Sequence, residues 1–156
     1  MFSFYKIFKN KNWETVVKSL FVNCEDGTNI GKLRIHKLIS KLKKDLSFNI
    51  SSLIINFISS ESIFELNKIY LRHNYPTDII TFNYSGSHSN LDGELFISVE
   101  DAEINANRFK VSLNNEISRL VIHGILHLLN YDDKKKSNRL LMKRKENELL
   151  KRHYFV

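Results

Sequence analysis

Apolar residues along the chain fall into short runs of strand type separated by longer stretches with helical spacing. Thr15 to Asn23 (TVVKSLFVN) predicts a strand, and Cys24 to Asn29 a turn. From Ile30 to Leu46, Leu33, Leu38, Ile39, Leu42 and Leu46 recur near the helical period. The lysines among them then form a solvated basic face. Ser52 to Ile58 (SLIINFI) is a β-branched run and predicts a buried strand. Ser60 or Ser62 is placed to cap a helix running to about Leu71. Asp78 to Tyr84 and Gly93 to Ser98 predict two strands that the polar loop Ser85 to Asn90 could join as a hairpin. Helices follow from Val99 to Phe109, from a cap at Ser112 or Asn114 to Leu129, and from Lys134 to His153. Strands and helices are partly segregated. This predicts an α+β fold, with a small mixed β-sheet packed with helices.

A chain of 156 residues fits a single domain, 1–156, in which segment 1–29 is the least defined. Cys24 is the only cysteine, which excludes an internal disulfide and suggests a small reduced filler in an intracellular protein. No apolar run approaches membrane-helix length, and the first residues lack the apolar core of a signal peptide. The expected location is cytoplasmic, with no membrane partner. The net charge of +7 suits a nucleic-acid partner. However, lysine outnumbers arginine 17 to 7, and asparagine and isoleucine each also number 17. All three abundant residues have AT-rich codons, so coding bias alone can make such a chain basic.

Glu116 to Asp133 (EISRLVIHGILHLLNYDD) carries the chemistry. His123 and His127 lie four residues apart on a predicted helix, so both imidazoles leave one face a turn apart. Two nitrogens so placed can reach one metal ion. Two core histidines bonded to backbone groups would show the same spacing. Asn130 suits the left-handed conformation that ends helices, and the chain then turns back toward Asp133. Aspartate is a competent zinc ligand. Three protein ligands that leave one position open are the mark of a catalytic zinc site.

Read together, His-Gly-Ile-Leu-His-Leu-Leu-Asn-Tyr-Asp-Asp (123–133) resembles the signature H-G-x-L-H-L-x-G-Y-D-H of the YbeY family of bacterial endoribonucleases. Leu66-Asn67, Tyr70, Pro76-Thr77-Asp78 and Phe82 resemble that family's L-N-x-x-Y…P-T-D block. Gly93-Glu94 stands where the family has Gly-Asp, and Met142 and Glu146 fit its last helix. The resemblance spans about Leu66 to Leu150. It implies a metal-dependent endoribonuclease that cuts single-stranded RNA in ribosomal RNA maturation and quality control. It also implies one zinc ion on His123, His127 and position 133, with ribosomal RNA and ribosomal proteins as partners. This chain has Asp133 where the family has a third histidine, which alters metal preference. It has Leu71 where the family has a catalytic arginine, and Arg72 directly after, so the resemblance assigns the catalytic role to Arg72.

Two other functions are open. A zinc metalloprotease helix reads H-E-x-x-H, and its glutamate is the general base. Here that place is Gly124, which cannot move a proton. A ribosome-assembly factor with structural zinc is the other. Asp78 and Glu94 are candidates for supporting the metal ligands, or for capping and pairing with lysine. His36, His88 and His153 have no evident partner in the sequence, and His73, in the loop before Pro76, is expected to be solvated, with an RNA contact as the alternative. The basic stretch from Lys134 to Arg152 suits either an RNA backbone or a solvated helix face.

Overall fold

In this computed structural model the described residues are 16–153. Thr15, the first residue of the predicted N-terminal strand, and the first residues weighed as a signal peptide lie outside them. Nine elements follow in order: β1 Leu20–Cys24, α1 Lys32–Leu46, β2 Asn49–Ile58, α2 Ser60–Leu71, β3 Ile79–Asn83, β4 Asn90–Ser98, α3 Val99–Phe109, α4 Leu113–Leu128 and α5 Lys136–Arg152.

The four strands form one mixed sheet in the order β1-β2-β4-β3. β1 and β4 both run parallel to β2, and β3 and β4 make the expected antiparallel hairpin. Alternation within the strands selects one face for the core. Leu20 and Val22 from β1, Leu53, Ile55 and Phe57 from β2, and Leu91, Leu95 and Ile97 from β4 are buried there. Ile35, Leu38, Ile39 and Leu42 of α1 join them, with the apolar side of α4 and with Met142 and Leu149 of α5. α2 packs against β3, β4 and α3. This is the α+β arrangement read from the sequence.

Several boundaries differ from expectation, and tertiary pairing explains them. β2 begins at Asn49 and β4 at Asn90, each three residues early, because their parallel register pairs Asn49 with Asn90 and Ile50 with Leu91. β1 starts only at Leu20, after Ser19 adopts a left-handed φ of 64°. The cap of α2 is Ser59, not Ser60 or Ser62: its side chain accepts from the Ser62 N–H at 3.2 Å. Ser112, the first of the two expected candidates, caps α4 by accepting from the Asn115 N–H. α5 starts two residues late, because the Asp132 side chain accepts from the Lys134 N–H and from Asn138 in the preceding turn. Its basic residues are partly paired, Arg152 with Asp45 and Lys145 with Glu148. Cys24 is half-buried against the core rather than enclosed.

Gly93 positions the site. It sits on the core face of β4, where an added Cβ would lie 2.7 Å from the Phe82 carbonyl oxygen and 2.9 Å from Leu128 Cδ2. The lack of a side chain lets the last turn of α4 rest on the sheet. Gly93→Ala must push either β3 or α4 outward. It is expected to destabilise the fold by about 1–3 kcal/mol, read as a lower urea midpoint with an unchanged slope.

Candidate metal centre

α4 ends as Asn130 predicted, and the way it ends builds the site. Asn130 is left-handed, with φ 72°. Its N–H donates to the His127 carbonyl, and the Tyr131 N–H reaches back to the Leu126 carbonyl, both at 3.0 Å. This is the Schellman pattern, which satisfies carbonyls a helix end otherwise leaves orphaned. The same turn brings the Tyr131 carbonyl to His127 Nδ1 at 3.0 Å and swings Asp133 back over the helix. His88, from the loop before β4, holds the Leu128 carbonyl through Nδ1 at 2.9 Å.

The ring-nitrogen partners decide the proton positions. A carbonyl only accepts, so His127 Nδ1 carries its proton. His123 Nδ1 lies 2.8 Å from Oε2 of Glu146, a buried side chain of α5. Burial pushes the Glu146 carboxyl up. Hydrogen bonds from His123 and Lys143 and the charges of Lys143 and Arg119 outweigh it, leaving a pKa of about 2. Glu146 is therefore ionised and accepts from His123. Both Nε2 atoms are thereby turned toward the cleft, and they face each other at 3.1 Å. Two imidazole nitrogens each about 2.0–2.1 Å from a tetrahedral zinc stand about 3.3 Å apart. Asp133 Oδ2 lies 4.0 Å from His127 Nε2, and one ligand atom from each of the three residues falls within 4.8 Å of the others. Burial, followed by the neighbouring His123, lowers the pKa of His127, which keeps it neutral. Two converging imidazole nitrogens beside a carboxylate suit a cation, so the donor set fits a divalent metal.

His123, His127 and Asp133 open into a cleft of about 510 Å³ whose other wall includes Leu71, Thr77, Asp78, Thr81 and Asn83. A larger groove of about 710 Å³ lies between α2 and the ends of β1 and β2. It holds Glu25, Glu61 and Glu65 but no histidine. Converging ligands rather than volume select the smaller cleft.

The fold brings His123, His127 and Asp133 together. Asp78 lines the cleft, accepts from Asn105 and lies 3.7 Å from Arg119. Glu94 bonds instead to Asn56 and the Tyr84 hydroxyl, both at 2.6 Å. Among the described residues neither carboxylate has a lysine partner or a hydrogen bond to His123 or His127. Arg72 is the exposed left-handed residue that ends α2, beside the cleft-lining Leu71. Two of the partnerless histidines acquire partners here, His36 by accepting from the Val17 N–H and His153 by meeting Asp45, and the exposed loop residue His73 meets Tyr75.

Sequence reasoning missed Arg119 and the roles of Glu116 and Glu146 beside it. Arg119 precedes His123 by one turn, so 119, 123 and 127 form one row. That i, i+4, i+8 spacing was the available signal. Arg119 grips Glu116 through two hydrogen bonds and lies 3.5 Å from Glu146. Burial lowers its pKa, but the Glu116 bonds outweigh that, and the guanidinium stays charged. Gly124, between the two histidines, faces away from the cleft. An added Cβ would lie 2.8 Å from Leu95 and 3.1 Å from Ile79. A protease-type glutamate at this position would point into the sheet and not at a substrate.

The model of the family described as "Endoribonuclease YbeY" matches residues 21–154. A protein named Endoribonuclease YbeY from Chlorobium phaeobacteroides is 40% identical over 116 residues, 74% of this chain and 81% of its own. One of the same name from Parabacteroides distasonis is 45% identical over 94 residues, 60% of this chain and 66% of its own. A solution structure of a Thermotoga maritima protein superposes with a TM-score of 0.60 at 28% identity, covering 86% of this chain and 89% of that one. With most of its length matched by the family model, the chain belongs to the endoribonuclease YbeY family.

Proposed function

We propose that this chain is a metal-dependent endoribonuclease that cuts single-stranded RNA during ribosomal RNA maturation, in the cytoplasm, with one zinc ion held by His123, His127 and Asp133. The observation that carries the reading is the pair of converging Nε2 atoms, fixed in angle by Glu146 and Tyr131 in a cleft that Asp133 also faces. Among the described residues no helix is long and apolar enough to cross a membrane.

When bound, the metal supplies Lewis acidity to phosphoryl oxygens in a reaction that gathers negative charge on them. The protein's share of the work is orientation and charge. Glu146 fixes the tautomer and angle of His123, and the Tyr131 carbonyl does the same for His127. Arg72, at the cleft rim, neutralises charge developing on the phosphate. Asp78 and Arg119 hold the wall behind the ligands. Glu94 supports the sheet from its own hydrogen bonds. The nucleophile is water or the RNA 2′-hydroxyl, and an initial 2′,3′-cyclic phosphate on the product would identify the hydroxyl. A purely structural zinc is the weaker reading, because the core beneath α4 is packed by its own apolar side chains.

The test is cleavage of a single-stranded ribosomal RNA fragment by zinc-loaded protein, with His127→Ala purified in parallel. Cleavage by wild type and background-level cleavage by the variant are expected. Equal activity in both, or none in either with zinc bound, would sink the reading.

A further inference from the structure

Between α2 and β3 the chain forms an arch whose two feet stand in the cleft. Leu71 at one end and Thr77 and Asp78 at the other line the same wall, opposite His123, His127 and Asp133. Residues 71–76 between them (Leu-Arg-His-Asn-Tyr-Pro) are all exposed. The arch is nevertheless built rather than loose. Asn67, only 1% exposed, donates from its side chain to the Tyr75 carbonyl at 2.8 Å. Its own carbonyl accepts from the N–H groups of Arg72 and His73. One buried residue, through its side chain and its backbone carbonyl, thus ties both limbs of the arch to α2.

On this frame two rings are held together in the open. His73 and Tyr75 stack with centroids 4.8 Å apart and planes 20° apart, and the Tyr75 hydroxyl meets His73 Nδ1 at 2.8 Å. Each ring spends one face on the other. Tyr75 remains 55% exposed and His73 is exposed as well, so outer ring faces are left to solvent. Neither belongs to the apolar core. Arg72, exposed and adjacent to His73 in the chain, adds a cation to the same arch. A pre-stacked pair of rings beside a guanidinium is the surface on which unpaired bases stack while the cation meets their backbone.

We propose that the stacked His73–Tyr75 pair on the 71–76 arch is a base-stacking subsite for an unpaired nucleotide next to the scissile phosphate. It rests on the ribonuclease reading and adds to it a reason for single-strand preference. A base inside a duplex has no free face to offer the pair.

The probe is a short single-stranded RNA carrying one 2-aminopurine, titrated with the full chain in chelator so that nothing is cut. Quenching of the 2-aminopurine is expected with wild type and with Tyr75→Phe, which keeps the ring. Tyr75→Ala and His73→Ala should lose the quenching and bind roughly tenfold more weakly. In the metal-loaded cleavage assay the loss should fall on KM rather than kcat. With an abasic ribose in place of the probed base, wild type and Tyr75→Ala should bind alike. Quenching and affinity unchanged in Tyr75→Ala, while wild type still cuts RNA, would overturn the subsite and leave the ribonuclease reading standing. A wild type that neither binds nor cuts RNA would remove both.

Discussion

Glu146→Ala is expected to lower the stability of the fold by about 2–3 kcal/mol and to weaken metal binding by about 10–100-fold. The carboxylate is 2% exposed and meets His123, Lys143 and Arg119 at once. Its removal orphans the Nδ1–H of His123, which then has no acceptor to fix its tautomer. The stability cost stays below the roughly 3–5 kcal/mol of a fully isolated buried charge. Arg119 keeps its two bonds to Glu116, and the mostly exposed Lys143 returns to water. Glu146→Gln separates the two effects. It keeps an acceptor for His123 but removes the charge, so metal affinity should fall while most of the stability is kept. Urea denaturation reads the first quantity and calorimetric zinc titration the second. The pH sign follows from the depressed Glu146 pKa. Its stabilising contribution is complete above about 4.5 and is lost as pH falls toward about 2. A Glu146→Ala protein as stable as wild type at pH 7 would show that the carboxylate gains nothing from its partners.

Metal removal should leave a folded chain with a lower melting temperature. At metal concentrations a hundredfold above Kd, binding adds about 2.7 kcal/mol, which for a domain of this size is roughly 5–11 °C. The effect should shrink in acid, because the ligands must be deprotonated. The metal-free protein should also weaken there. Burial, with His123, holds the His127 pKa below 6.5. Its contribution is therefore present above that value and lost as pH falls through the lowered one. Thermal melts with and without chelator, at several pH values, would read both trends. Unfolding on chelation at neutral pH would instead assign the metal a structural role.

How much was legible in the sequence depended on whether the signal was local. The helices from Val99 and from Ser112 were readable because their caps, apolar spacing and the Asn130 stop lie in consecutive residues. The starts of β2 and β4 were not, because polar residues such as Asn49, Asn90 and Asp92 join strands only through a neighbour distant in sequence. The same division runs through the site. His123 and His127 share a helix face, and Asp133 follows one turn, so spacing sufficed. Glu146 lies 23 residues from His123 and on another helix, and no periodicity connects them. Arg119 had a readable position, but its role depends on Glu116, Glu146 and Asp78 together. The stacked pair of His73 and Tyr75 is a property of loop geometry, which composition does not encode.

The hydrogen bonds made by the two Nδ1 atoms have a thermochemical consequence. Glu146 and the Tyr131 carbonyl each engage the ring nitrogen that faces away from the cleft, so both rings are fixed in angle before any ion arrives. An incoming divalent ion meets donors already aimed at it, with little rotamer freedom left to lose. The ordering entropy of the site is then part of the free energy of folding, and loading is dominated by removal of the ion's hydration shell.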